Sequence, residues 1–271
     1  VGTVVTVRAG TDTLAPFRYI GRAIAAFGRG LSVLARTLVA MNGSGDVLGR
    51  GWRDLAENAP GIGVAYEAAR RRAAGGSDRS WRVGADGEVL AAQVLAELTA
   101  ASRWERLRGR APAWRVLHSV PLGDERGRVR GDIDHVLIGP PGVVTINTKH
   151  HRAGRLELDG DALVVNGRPT QYVHKARREA ERAAAFLRPA LLDAGEPALA
   201  ARVLVRPLIA VIGGRLLVRS WASGVTVVMP RQLVHALRAI PPVLDAAAVA
   251  AVFEIARRST TWIRVGPPEQ R

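Results

Sequence analysis

Apolar residues along the chain switch between a helical period and a strand period, and the switches mark out its elements. Near the N-terminus, Ile20, Ile24, Phe27, Leu31, Leu34 and Leu38 recur at alternating spacings of four and three, while Arg22, Arg29 and Arg36 fall on another face. This spacing predicts a basic amphipathic helix, weakened by Gly21, Gly28 and Gly30. In GADGEVLAAQVLAEL, the stripe Ala91, Val94, Leu95 and Leu98 predicts a second helix that opens near Asp86 and carries Glu88 in its first turn. The period then falls to two. Trp114 to Leu122 reads as a strand, and DIDHVLIG and GVVTINTKHH read as the two arms of a hairpin around Pro140-Pro141, which cannot continue a ladder. RLELDGDALVVNG predicts another hairpin, turning at Asp159-Gly160-Asp161. From Gln171 the helical period returns, with Val173, Ala176, Ala180, Ala183 and Leu187 inward and Gln171, Lys175, Arg178 and Arg182 outward. VLVRPLIAVIGG and GVTVVMP predict buried strands, followed by helices from about Arg231 to Ala239 and from Leu244 to Arg258. That order of elements predicts an α/β fold: a mixed β-sheet flanked by helices, behind an N-terminal helical extension.

The small, polar stretch AAGGSDRS, Ala73 to Ser80, reads as a linker. It divides the chain into residues 1–78, a partly flexible extension with the basic helix; 79–265, the main domain; and 266–271, a tail. The arginines within the N-terminal apolar stretch are costly at a bilayer centre, so no integral membrane span is expected. A basic amphipathic helix can instead lie on a membrane or partner surface.

Charge narrows the partner. Thirty-nine Lys and Arg against 24 Asp and Glu give a net charge of +15, which favours an anionic partner such as nucleic acid. GC-rich coding, which raises Arg and Ala together, is the alternative source of that excess. Cysteine is absent, which removes disulfides and thiolate metal sites and fits a reducing, cytoplasmic setting. The sequence has no phosphate-binding G-x-x-x-x-G-K-[ST] loop and no G-x-S-x-G nucleophile turn. His150 and His151 are adjacent, so on a strand they point to opposite faces and do not make a zinc pair.

The candidate chemistry lies in the hairpin. If Gly139 and Gly142 face each other across the turn, continuing that register places Asp134 opposite Asn147 and Asp132 opposite Lys149, all on one face of the sheet. Two carboxylates, an amide and an ammonium then meet within a cross-strand spacing of about 5 Å. Such a group suits phosphodiester hydrolysis. Carboxylates hold a divalent cation that polarises the phosphate, and a lysine orients water or stabilises developing charge. The plainer reading is structural: Asp132 and Asp134 cap a strand end and Lys149 is a solvated salt-bridge partner. Lys149 and Lys175 are the only lysines in an arginine-rich chain, which hints that a compact charge is wanted at 149. Gln171, Lys175, Arg178 and Arg182 could contact phosphates beside the site, while Glu179 and Glu181 suit a merely solvated helix face.

The motifs GADGE, GDIDHVLIGPPGVVTINTKHH, VNGRPTQY and the terminal TTW, spread over about residues 81–265, resemble the nuclease-related domain family in its actinobacterial form. The resemblance implies a restriction-endonuclease-like core of the P-D-(D/E)-x-K class and a DNA nuclease dependent on Mg²⁺ or Mn²⁺. Its functional positions carry over to Glu88, Asp134, Lys149 and Gln171, with Asp134 and Glu88 holding the metal; the Thr148 carbonyl could act as a further, backbone ligand. The third-strand Glu of the family is Asn147 here, a neutral and weaker ligand. Asp132 and Glu157 are spare carboxylates that could migrate into the site. The alternative is an inactive DNA-binding or interaction module that keeps the fold. A homodimer is one arrangement in which paired domains of this kind cut both strands.

Overall fold

A computed structural model describes residues 51–65, 73, 79–101, 107–109, 111–123 and 128–263. The chain divides into two units, Val1–Leu48 and Gly49–Arg271, and all described residues belong to the second. The basic helix expected around residues 20–38 and most of the expected linker lie outside them. The linker's last two residues, Arg79 and Ser80, are helical. Among the described residues, no helix is long and apolar enough to cross a membrane.

The fold is α/β, with a mixed sheet flanked by helices. Helix α1 (Arg79–Thr99) leads into β1 (Arg115–Gly123), β2 (Val129–Gly139) and β3 (Gly142–His150). β4 (Arg155–Asp159), β5 (Ala162–Val165) and β6 (Arg168–Thr170) precede α2 (Tyr172–Asp193) and α3 (Pro197–Arg202). The chain continues through β7 (Val205–Ile212), β8 (Arg215–Val218), β9 (Thr226–Val228), α4 (Pro230–Ala239), α5 (Ala246–Ala256) and α6 (Ser259–Trp262).

The main sheet has the order β1-β2-β3-β7-β9, antiparallel on the β1 side and parallel from β3 onward. Its central strands are buried on both faces, which is why β7 continues past Arg206 and Pro207 as the apolar run Leu208–Ile212. On one face, Leu95 and Leu98 of α1 and Leu233 and Leu237 of α4 pack on Val144, Ile146 and Leu208. On the other, Ala183 and Leu187 of α2 and Val249 and Val252 of α5 cover Val136, Ile138 and Val143. A second sheet, β6-β5-β4-β8, is held to β7 and α2 by Leu156, Leu158, Val173, Ile209 and Val211.

The hairpin has the register expected from its glycines. Gly139 pairs with Gly142, and the ladder runs through Ile138–Val143, Leu137–Val144 and Val136–Thr145 to His135–Ile146. Pro140 and Pro141 form a two-residue turn, and the Pro140 carbonyl accepts the N–H groups of Val243 and Leu244, which ties the turn to the segment ahead of α5.

One expectation is corrected, and two features are added. α1 starts at Arg79, so Glu88 stands mid-helix rather than in the first turn. The short strands β6 and β8 were not legible as strands. Residues near 55 also pack into the main body: Leu55 is fully buried with Trp262, Asp54 forms an ion pair with Arg257, and Asn58 donates to the carbonyls of His118 and Ser119.

Candidate active site at the end of the hairpin

The strands part just past the last ladder pair, and there the side chains take over from the backbone. Asp134 lies one residue beyond His135, and its Oδ2 accepts the Thr148 backbone N–H at 2.6 Å. Burial pushes the Asp134 carboxyl up to about 6, and the Asp132 charge adds to this; Lys149 and the Thr148 N–H oppose it. Thr148 is thus held between Asp134 and Ala210, its partner in the parallel ladder with β7. Lys149 follows Thr148 on β3, with its Nζ 5.2 Å from the centre of the Tyr172 ring. Tyr172 also stacks on His151, with ring centres 5.8 Å apart.

α1 supplies Glu88. The residue falls in line with the buried stripe Ala91, Leu95 and Leu98, so a carboxylate is carried on a core-facing row and is only 3% exposed. The helix comes close to β3 at Gly87, where a Cβ would stand 2.8 Å from Cβ of His150. Burial, then the charges of Asp134 and Asp132, push Glu88 up to about 9, against the Gly61 N–H and Lys149. The Gly61–Gly63 segment closes this side: a Cβ on Gly63 would collide with Oδ2 of Asp132.

α2 supplies a residue that the sequence reading placed on a solvated face. Glu179 is half-buried, and its Oε2 accepts a hydrogen bond from Asn147 Nδ2 at 3.1 Å. Burial and the nearby Asp134 push Glu179 up to about 8. Farther out, Asp132 and Glu179 line a cleft of about 490 Å³ together with Gln171, Lys175, Arg178 and Arg182. Gln171, Lys175 and Arg178 are exposed, whereas Arg182 donates to the Gly123 carbonyl at 3.0 Å. The four residues expected on one outward helix face therefore do share one wall.

Other expectations do not hold. Asp132 is not a ladder partner of Lys149; it pairs with Pro121 of β1, because β2 and β3 separate beyond His135. Glu157 is no spare ligand, being held by Arg155 and Arg219 on the second sheet. The histidines do behave as strand alternation implies: His150 turns away from Lys149, tied by Nδ1 to the Val83 carbonyl at 2.7 Å, and His135 faces His118 rather than the site.

The donor set suits a hard divalent cation. Glu88 Oε2, Asp132 Oδ2, Asn147 Oδ1 and Glu179 Oε1 are all buried without a hydrogen-bond partner, and oxygens of this kind are what Mg²⁺ and Mn²⁺ prefer. Among the described residues, no three His, Cys, Asp or Glu side chains form a ready-made metal cage. Mg²⁺ needs less than that, since it is commonly bound through one or two carboxylates with water filling the other positions.

Residues 83–212 match the family model of the nuclease-related domain, a span that takes in most of α1 through β7 and every residue of the acidic cluster. No curated protein and no solved structure matches the chain.

Proposed function

We propose that the protein is a metal-dependent DNA nuclease, built on a restriction-endonuclease-like core and working in the cytoplasm. The observation that carries this reading is the grouping of Asp134, Glu88 and Lys149 within a nuclease-related span, beside a cleft walled by cations. Asp134 and Glu88 would hold Mg²⁺ or Mn²⁺, with the Thr148 carbonyl and the weaker Asn147 oxygen as further ligands. The ion would polarise the scissile phosphate and acidify a water. Lys149, fixed between the carboxylates and the Tyr172 ring, presents its ammonium protons to a phosphate oxygen or to the attacking water. Gln171, Lys175, Arg178 and Arg182 bind backbone phosphates, which set the register of the strand without reading its bases.

A second reading has its own support. The neutral Asn147 and the absence of a three-ligand cage among the described residues also suit a DNA-binding module that keeps the fold without cutting. Nicking of supercoiled plasmid with Mg²⁺ or Mn²⁺ separates the two. The nuclease nicks, and Asp134→Ala and Lys149→Ala each abolish nicking; the module binds DNA with a steep salt dependence whether or not metal is present.

A further inference from the structure

Glu179 has no assigned role in that reading, yet its surroundings are not those of a solvated helix residue. Its Oε2 takes the Asn147 amide, and its Oε1 is buried without a partner. Asn147 donates to Glu179 and leaves its own Oδ1 buried and unpartnered. Two oxygens, one of them on a carboxylate, therefore lack a partner at the position where the strand carboxylate of the family pattern is missing. An Asn and a Glu that only packed together would satisfy each other or reach water.

Two independent features point the same way. Glu88, 3% exposed and on α1, leaves Oε2 without a partner beside Asp134 and Asp132, so a second helix also brings an unsatisfied carboxylate to the same place. Glu179 also lines the cleft that Lys175 and Arg178 border, so a phosphate held by those cations would pass its carboxylate.

We propose that Glu179 supplies the metal-binding carboxylate that Asn147 lacks, and that Asn147 positions it through the Nδ2–H···Oε2 hydrogen bond. The inference rests on the nuclease reading and adds to it a carboxylate carried on a helix in place of one carried on β3. Asp134 and Glu179 then provide the two carboxylates that Mg²⁺ commonly uses, with Asn147 Oδ1 as a neutral neighbour.

The test follows Mn²⁺ binding to the full chain by calorimetry, in parallel with plasmid nicking. Four proteins are compared: wild type, Glu179→Gln, Asn147→Ala and the exchange Asn147→Glu/Glu179→Gln. Wild type should bind Mn²⁺ and nick. Glu179→Gln should weaken Mn²⁺ binding by about tenfold or more and lose nicking, and the exchange, which moves the carboxylate from helix to strand, should recover much of both. Asn147→Ala should raise the Mn²⁺ concentration for half-maximal nicking about tenfold with a smaller change in the maximal rate, as expected of a positioning residue. Unchanged Mn²⁺ binding and nicking in Glu179→Gln overturns the role of Glu179 and leaves the nuclease standing. A wild type that neither binds Mn²⁺ nor nicks overturns both. If Glu179→Gln fails to fold, the exchange decides: recovery supports the proposal, and a folded but inert exchange overturns it.

Discussion

Asn147 on β3 and Glu179 on α2 are joined by a 3.1 Å hydrogen bond, and each keeps one further oxygen buried and unpartnered. The amide is what lets the carboxylate stay there. Replacing Asn147 by Glu would set a second carboxylate against one already pushed up to about 8 by burial and by Asp134. Without metal at pH 8, Asn147→Glu should therefore lower stability by about 1–3 kcal/mol, the range for a buried group that loses its partner. Urea denaturation reads this directly. A more stable Asn147→Glu would mean that Glu179 is free to swing away from β3.

Glu88 gives the site a pH signature. Its carboxyl is held near 9 in the fold against an ordinary value of 4.5, with burial as the main cause. The folded chain thus keeps a proton that the unfolded chain releases between those values. The stability associated with the neutral carboxyl is full below about pH 4.5 and is lost as pH rises towards 9. Glu88→Gln, neutral at every pH, should raise the melting temperature relative to wild type at pH 8 without metal, and the gain should shrink to nothing near pH 4.5. Melting curves at the two pH values check it; a variant less stable than wild type at pH 8 would show that the carboxyl is ionised and well partnered in the fold.

The strand part of this site was legible because a period of two and a fixed turn leave little freedom. Once Gly139 faces Gly142, the placing of Asp134 and Asn147 at neighbouring ends of the strands follows, and the ladder bears out that register to His135–Ile146. The helix part was harder to see. Glu179 stands in a run of charges, and a charged run normally means water. A signal was nonetheless present: Glu179 is three residues after buried Ala176 and four before buried Ala183, so it borders the inward stripe of α2. Glu88 likewise precedes Ala91 by three, in line with the α1 stripe. A carboxylate in register with a buried stripe is costly unless the site uses it. Asp132 was misplaced for a different reason: pairing rules hold only while strands stay paired, and β2 leaves β3 after His135. β6 and β8 are too short and too mixed in character to announce themselves.

The cationic wall of the cleft makes a prediction that does not depend on cutting. Lys175 and Arg178 are exposed, and no ion pair with either is found among the described residues, so both are open to phosphate. Each phosphate contact releases counterions and contributes about 0.9 to the slope of log affinity against log salt on duplex DNA. Lys175→Ala/Arg178→Ala should weaken binding to all sequences alike and reduce that slope by about two. Fluorescence anisotropy over a salt series measures it, and an unchanged slope would move the DNA path away from α2.

His118 and His135 face each other across β1 and β2, Nδ1 to Nδ1 at 2.8 Å, with their rings edge to face. One Nδ1 must donate and the other accept, so the contact needs at least one neutral ring. Burial holds His118 down to about 4; burial together with the His118 charge holds His135 down to about 3. Both are therefore neutral in the fold where the unfolded chain, near 6.5, already takes up protons. The pair's contribution to stability is present above about pH 6.5 and is lost as pH falls towards 4 and 3, the opposite direction to Glu88. Imidazole resonances followed by NMR should show no titration of His135 above about pH 5. A His135 resonance that titrates near 6.5 would show that the pair opens to water in the native state, and the acid-side loss of stability would then need another source.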